Sequence, residues 1–115
     1  MHPAFVVVVV TSVLAVAAQT LAEPRAFDVV VRGGVLPAED RVIRVRQGDD
    51  VTLRLTTDRA LTIHLHGYDI EKEVVPGKPS VVTFTARATG RFPIEVHGPP
   101  HGKEQTLGYL EVHPR

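Results

Sequence analysis

Apolar and polar residues alternate along most of the chain after residue 26. Leu61, Ile63 and Leu65, for example, are separated from one another by single polar residues. A period of two predicts strands with one buried face, and no window shows the 3.6-residue period of an amphipathic helix. Glycines and prolines fall mostly between the alternating segments, where turns are expected. The predicted strands are residues 27–32, 41–46, 51–56, 61–66, 81–86, 92–96 and 107–112.

About seven short strands in ~93 residues predict an all-β protein built as a two-sheet sandwich. The segment from Gly67 to Pro79 is predicted to be a loop, and residues 98–102, which contain only Gly, Pro and His, form a second predicted loop. Residues 41–46 carry three arginines. This pattern predicts an edge strand that its charges protect from pairing with other chains, with a partner-docking edge as the alternative.

The first 22 residues differ in composition from the rest of the chain. The 13 Lys and Arg and the 13 Asp and Glu residues all follow them. Residues 4–18 are apolar except for Thr11 and Ser12. This run is short for a membrane span, which needs about 20 residues. It resembles the apolar core of a secretory signal peptide.

Small residues follow the apolar run, as a signal-peptidase site requires. We therefore predict that residues 1–22 are a signal peptide and that residues 23–115 form one domain without a membrane span. Cleavage is expected near Ala22, with Ala18 as the second choice. The mature domain would be periplasmic or secreted. The alternative is that the segment remains uncleaved as an N-terminal anchor.

Composition excludes several classes of function. Net charge is zero, which disfavours a nucleic-acid partner because phosphate binding needs a basic surplus. The chain has no cysteine, which excludes disulfides, thiolate metal sites and cysteine nucleophiles. Ser80 is the one serine after the predicted leader and has no Asp–His pair near it in sequence, so a hydrolase triad is not expected. We predict that the protein is not an enzyme.

Four of the six histidines form two groups that suit a metal site. His64 and His66 are two residues apart on a predicted strand and therefore leave the same face. His97 and His101 flank a Gly-Pro-Pro loop. Imidazole is a common ligand of copper and zinc. We predict a metal site formed by these four residues. The alternative is that they are solvated surface residues, as expected for the isolated His113.

Five segments of the chain and His101 together carry a family resemblance: residues 62–68, 75–79, 82–84, 90–97 and 107–112, with residue 101. Through them, residues from about 27 to 114 resemble the cupredoxin fold, the copper-binding sandwich of plastocyanin, azurin and the copper domain of cytochrome oxidase subunit II. This resemblance implies a Greek-key β-sandwich with one histidine ligand at the end of a middle strand. It also implies Cys, His and Met ligands in the loop between the last two strands. His64 or His66 would be the first ligand and His101 the loop histidine.

The sequence departs from that ligand set at two positions. The cysteine position falls on Val96, and His97 follows it. A bulge at Pro93 would turn His97 inward to replace the thiolate. The methionine position falls on Thr106 or Leu107, and neither is a good ligand. Without a thiolate the site would hold non-blue copper, with zinc the less favoured metal.

The resemblance implies a copper ion as ligand and a role in copper handling in the cell envelope. A redox protein or a copper acceptor would be the protein partner. Two alternatives remain open: an electron-transfer partner of a respiratory or copper enzyme, and a metal-free interaction module. Tyr68, Asp69 or Glu95 would orient the histidine rings, unless they are solvated surface residues.

Overall fold

The computed structural model describes residues 2–15, 21–98 and 103–115. They form two β-sheets and one short 3₁₀ helix, so the predicted all-β sandwich is confirmed. One sheet has the strand order β1-β3-β6 and the other β2-β8-β7-β4-β5. The strands are β1 Pro24–Val31, β2 Val42–Arg46, β3 Asp50–Thr57, β4 Leu61–Leu65, β5 Ile70–Val74, β6 Ser80–Thr85, β7 Gly90–His97 and β8 Gln105–His113.

The seven predicted strands are all present, but the prediction of a loop between Gly67 and Pro79 is wrong. Ile70–Val74 forms the additional strand β5, which pairs with β4 at the edge of the five-stranded sheet. Its three central residues are charged and exposed, and only Val74 is fully buried. The apolar alternation is therefore missing from a strand that contacts the core only at its ends.

The core lies between the two sheets and is built from the inward residues of the alternating segments. On β4 these are Leu61, Ile63 and Leu65, which are all buried. Leu110 on β8 and Val31 on β1 belong to opposite sheets, and both are fully buried in the same core. Because one face of each strand packs against the core, the polar residues between the apolar ones lie on the outer faces of the sheets.

Two strand pairs are parallel, which requires the chain to cross between the sheets. Strand β1 pairs in parallel with β3, and β2 pairs in parallel with β8. Strand β2 is the other edge of the five-stranded sheet, and its Arg44 and Arg46 are exposed. The predicted edge strand at residues 41–46 is therefore confirmed.

The pairing of β7 with β8 contains a bulge, but not the one that would turn His97 inward. Ile94 pairs with Gly108, whereas Glu95 pairs with Thr106, so the extra residue is Leu107 on β8. The alternation of β7 is therefore unbroken, with Ile94 buried and His97 exposed. The expectation that His97 points into the sandwich is wrong, since the extra residue belongs to the neighbouring strand.

The N-terminal segment 2–15 contains neither helix nor strand, and its side chains are exposed. No helix within the described ranges is long and apolar enough to cross a membrane. The first strand begins at Pro24. The signal peptide at residues 1–22 stays a prediction.

Candidate metal centre

His64 and His66 lie on the outer face of β4 because the intervening apolar residues are buried. Leu61, Ile63 and Leu65 face the core, and the alternation of the strand directs the two histidines to the opposite side. A slip of one residue in register would bury both imidazoles and expose three large apolar side chains. The packing of β4 therefore fixes the direction of both rings.

Neighbouring strands supply carboxylates to the same face. In the register of the sheet, Glu95 of β7 and Glu71 of β5 lie on either side of His64. Cross-strand partners of this kind have Cβ atoms about 4.5–5.5 Å apart. Past the end of β4, the backbone N–H of His66 donates to the carbonyl of Pro93 at 3.0 Å. His66 is thus held to β7 by its main chain.

Gly67 turns the chain away from β7 immediately after the histidine pair. Its φ is +82°, in the left-handed region that favours glycine. A Cβ at this position would lie 2.3 Å from Cδ1 of Phe92, which packs against the core. Only glycine fits without a shift of that ring, so the backbone after His66 follows a defined path.

Glu104 completes a group of three donors with the two histidines. The two imidazole centroids are 4.1 Å apart and their planes are tilted by 41°. One carboxylate oxygen of Glu104 lies 3.6 Å from Nδ1 of His64, and the other lies 3.8 Å from Nε2 of His66. One ligand atom from each residue falls within 4.8 Å of the others. The carboxylate therefore spans the two rings.

Nε2 of His66 is a buried nitrogen without a hydrogen-bond partner among the described residues. Oε2 of Glu95 is 3.2 Å away, but the contact does not have the direction of a hydrogen bond. Buried polar atoms are nearly always paired, because leaving one unpaired costs about 1–3 kcal/mol. Among the described residues Nε2 therefore makes no hydrogen bond, although carboxylate oxygens of Glu95 and Glu104 lie within 4 Å of it.

The pKa of the Glu104 carboxyl lies below its usual value of 4.5. The neighbouring Glu95 side chain is the largest cause of this lowered pKa, while partial desolvation opposes it. The His64 ring, 3.6 Å from one carboxylate oxygen, and the positive charges of the protonated imidazoles lower the pKa further. Glu104 is therefore a carboxylate at neutral pH, which is the form that binds a cation.

The other two predicted ligands are not part of this group. His97 ends β7 opposite Thr62, so it lies on the same outer face, but among the described residues it does not join His64 and His66 within ligand distance. His101 lies outside the described residues, and its role as a ligand stays a prediction.

Of the residues expected to orient the rings, Glu95 alone contacts one, at His66. The hydroxyl of Tyr68 donates to the carbonyl of Ala88 at 2.9 Å, and its ring stacks against two phenylalanines of the core rim. Asp69 has a φ of +53° in the turn that leads to β5. His113 contacts Glu111 on β8, away from the group, as expected.

Sequence reasoning missed Glu104. Its one sequence signal is the position of a carboxylate directly before the last strand, after the histidine-containing loop. Single carboxylates before a strand are common and carry no metal signal by themselves. Glu104 reaches the histidines because β8 pairs with β7, which in turn pairs with β4.

The donor set fits a transition-metal ion. Two ligands bound at about 2.0–2.2 Å lie at most about 4.4 Å apart, so a spread of 4.8 Å requires only a small rotation of the side chains. Two imidazole nitrogens and one carboxylate oxygen suit Cu(II) or Zn(II), and the chain has no thiolate to offer. Three donors on a partly exposed face leave coordination positions open for solvent or a further ligand.

Comparison with known proteins identifies the fold. No protein-family model and no curated protein matches the chain. A chain of a heme-copper terminal oxidase dimer is similar over 77% of this chain and 65% of its own length, at 17% identity and a TM-score of 0.62. The multicopper oxidase mgLAC matches over 82% and 40%, at 22% identity and a TM-score of 0.59.

A copper-binding protein, solved by NMR in its apo form, shares nearly its whole length with this chain. It covers 83% of this chain and 93% of its own, at 16% identity and a TM-score of 0.61. By contrast, the chain spans less than half the length of the multicopper oxidase. At these identities the similarity concerns the fold alone. The chain has a cupredoxin-like fold.

Proposed function

We propose that the protein binds one copper ion through His64, His66 and Glu104 on the outer face of the five-stranded sheet. The observation that carries the proposal is the convergence of two imidazoles and one carboxylate within 4.8 Å, in which Nε2 of His66 is buried and makes no hydrogen bond to the described residues. The names of the similar structures support copper as the metal, since each includes copper.

Chemistry favours Cu(II) over Zn(II) at this site. For a given set of nitrogen and oxygen donors, Cu(II) binds more tightly than the other divalent metals of the first transition row. A tetragonal Cu(II) ion would accept the three side chains and keep the remaining positions for water. Because the chain has no thiolate, the bound Cu(II) would lack the intense visible absorption of a blue copper site.

The role that suits such a site is copper handling in the cell envelope, with transfer to a copper acceptor. The side chains of His66 and Glu104 are 37% and 46% exposed, so an incoming ligand can reach the ion. The predicted signal peptide supports export to the periplasm or the medium. Electron transfer to a copper or respiratory enzyme is the competing role, and the fold similarity to a terminal oxidase favours it.

Titration with Cu(II) tests the site. Binding is measured by isothermal titration calorimetry at pH 7.5, and the metal-free chain should bind one equivalent of Cu(II). His64→Ala, His66→Ala and Glu104→Gln should each weaken binding at least tenfold, because each removes one of three donors. His113→Ala is the matched control and should change the affinity less than threefold. If His113→Ala loses as much Cu(II) affinity as the other variants, or if no variant loses affinity, the group of His64, His66 and Glu104 is not the binding site.

Two further variants decide the size of the ligand set. His101→Ala should weaken binding if the loop histidine is a ligand, as the sequence predicts. His97→Ala should cost less than threefold, because His97 stands apart from the three-residue group. Reversible one-electron cycling of the bound copper without loss of the ion would favour electron transfer over delivery.

A further inference from the structure

Asp49 is a buried carboxylate that the proposed copper site does not use. Its relative exposure is 2%, the lowest of any charged residue in the part of the chain described. Oδ2 accepts the backbone N–H of Arg46 at 2.9 Å. Oδ1 accepts the backbone N–H of Glu23 at 3.2 Å and also contacts the guanidinium of Arg115.

The position of Glu23 beside this carboxylate is set by the sheet. The carbonyl of Glu23 accepts the backbone N–H of Asp50 at 3.1 Å, and Pro24 is the first residue of β1 in register with β3. The nitrogen of Glu23 therefore lies at the start of the folded domain and points at a buried anion. In the unprocessed chain, this nitrogen is a neutral amide.

The predicted leader ends at this same point. Thr20 and Ala22 are small residues at the positions that signal peptidase reads, three residues and one residue before the bond it cuts. Cleavage after Ala18 would instead leave four residues ahead of Glu23, among them Leu21, which is 74% exposed. The side chain of Leu21 thus has no packing role, and its carbonyl accepts a hydrogen bond from Nη1 of Arg115 at 2.6 Å.

We propose that the Ala22–Glu23 bond is the maturation site and that the α-ammonium released there forms an ion pair with the buried carboxylate of Asp49. Signal peptidase hydrolyses the bond with one water molecule, which leaves a carboxylate on Ala22 and an ammonium on Glu23. Folding then places that ammonium where the amide N–H of Glu23 lies in this structure. The inference rests on removal of the leader and is independent of copper binding.

A charged pair at this position makes the stability of the domain depend on the new terminus. An ordinary α-amino group has a pKa of about 7.7–8.0, and contact with Asp49 would raise it because the charged form gains a partner. A raised pKa contributes stability that is complete below about pH 7.7 and lost as pH rises through the folded value. The other ionisable side chains on the segments packed around this nitrogen are Glu23, Arg25, Arg46, Asp50, Arg87 and Arg115.

Mass spectrometry of the exported full-length chain is the first test. A mature protein that begins at Glu23 supports the proposal, whereas one that begins at Gln19 or retains Met1 overturns it. The second test compares two purified chains, one starting at Glu23 and one starting at Ala22. The longer chain keeps the N–H bond to Asp49 but moves the charge one residue away.

The chain that starts at Glu23 should melt about 4–8 °C higher than the chain with the extra alanine at pH 6.5. This gap should close above about pH 10, where the α-amine is neutral. All other ionisable groups are shared by both chains and cancel in the difference. Equal melting temperatures at pH 6.5, or a gap that does not change with pH, would overturn the ion pair.

NMR titration of the α-amine, after selective ¹⁵N labelling of glutamate, gives an independent measurement. Its pKa should lie at least one unit above the ordinary range and return to that range in Asp49→Asn. Asp50→Asn is the matched control, since Asp50 is adjacent and exposed, and it should leave the raised value in place. If Asp49→Asn does not fold, the raised pKa and the melting comparison still decide the question. An ordinary pKa in the parent chain contradicts the proposal.

Discussion

In the metal-free protein, the main chain of His66 is fixed by the sheet, but one of its ring nitrogens makes no hydrogen bond to the described residues. Its main chain belongs to the sheet, through the bond to the Pro93 carbonyl, and its ring packs against that of His64. Its Nε2, however, is buried without a hydrogen-bond partner among the described residues. Local rules that are broken in an otherwise consistent fold tend to mark functional positions. A bound ion would satisfy this nitrogen at no cost to the sheet.

Replacing His66 with phenylalanine should therefore separate stability from function. In the metal-free protein, His66→Phe should change the free energy of unfolding by no more than about 1 kcal/mol, because Nε2 makes no hydrogen bond to the described residues and its contacts with Glu95 and Glu104 lie on a partly exposed face. The same change should abolish copper binding. Urea denaturation with a chelator present measures the first effect, and calorimetry measures the second. A loss of stability greater than about 1 kcal/mol would mean that Nε2 is satisfied in solution.

Asp49 shows the opposite case of a buried polar group that is fully paired. Burial alone would raise the pKa of its carboxyl. The backbone N–H groups of Arg46 and Glu23, with the positive charges of Arg115 and Arg25, outweigh burial and hold the pKa below the usual 3.8. A lowered pKa means that the ionised carboxylate is the form that stabilises the fold.

Asp49→Asn should lower the free energy of unfolding by about 2–4 kcal/mol at pH 7, since it removes the charge that pairs with Arg115. The stabilisation by Asp49 is present above pH 3.8 and is lost as pH falls through the lower folded pKa. The parent and the variant should therefore converge only in that acidic range. Asp28→Asn on the exposed side of β1 is the control and should change stability by less than about 0.5 kcal/mol. A similar loss in both variants would contradict this role for Asp49.

At the scale of elements, the alternation of apolar residues predicted each strand that has a buried face. It did not predict β5, because a strand that contacts the core only at Ile70 and Val74 has no repeating apolar side. It predicted the shared face of His64 and His66, because strand geometry alone determines it. Glu104 could not be predicted in this way, because its approach depends on how β8 pairs with β7 across the bulge at Leu107.

The turns before and after β5 each contain a glycine, and the two glycines offer a matched test of backbone constraint. Gly67 and Gly77 both have positive φ, at +82° and +76°, but only Gly67 lies against a side chain. Gly77→Ala should cost about 1 kcal/mol from backbone strain alone. Gly67→Ala should cost about 2–3 kcal/mol, because its new Cβ also displaces Phe92.

Chemical denaturation of the two glycine variants measures this difference. Gly67→Ala should also weaken Cu(II) binding, because the displaced turn follows His66 directly, whereas Gly77→Ala should leave binding unchanged. Equal costs for both substitutions would show that Phe92 yields to the new methyl group without strain.

At the scale of the whole molecule, the two sheets enclose one apolar core, and their polar residues lie on the outer faces. The ligands of the proposed site come from β4 and from the segment before β8, which only the folded five-stranded sheet brings together. The unfolded chain has no such site, so copper should bind the folded state preferentially. Binding to the native state alone stabilises a protein in proportion to the logarithm of ligand concentration.

Free Cu(II) at about 100 times its dissociation constant should raise the melting temperature by about 10–20 °C at pH 7.5, since this excess contributes about 2.7 kcal/mol. The shift should fall strongly at pH 5. Protons compete with the metal for both imidazoles, because a protonated ring nitrogen cannot bind a cation. Glu104 does not share this loss, because its lowered pKa keeps it ionised at pH 5.

Differential scanning calorimetry at the two pH values, with and without Cu(II), measures this linkage. The double variant His64→Ala/His66→Ala should show little shift at either pH, while His113→Ala should behave as the parent chain. Glu104→Gln should show a smaller shift at pH 7.5 and the same relative loss at pH 5, since the titrating ligands remain. An equal shift at both pH values would exclude imidazole ligation, because a carboxylate site would still be ionised at pH 5.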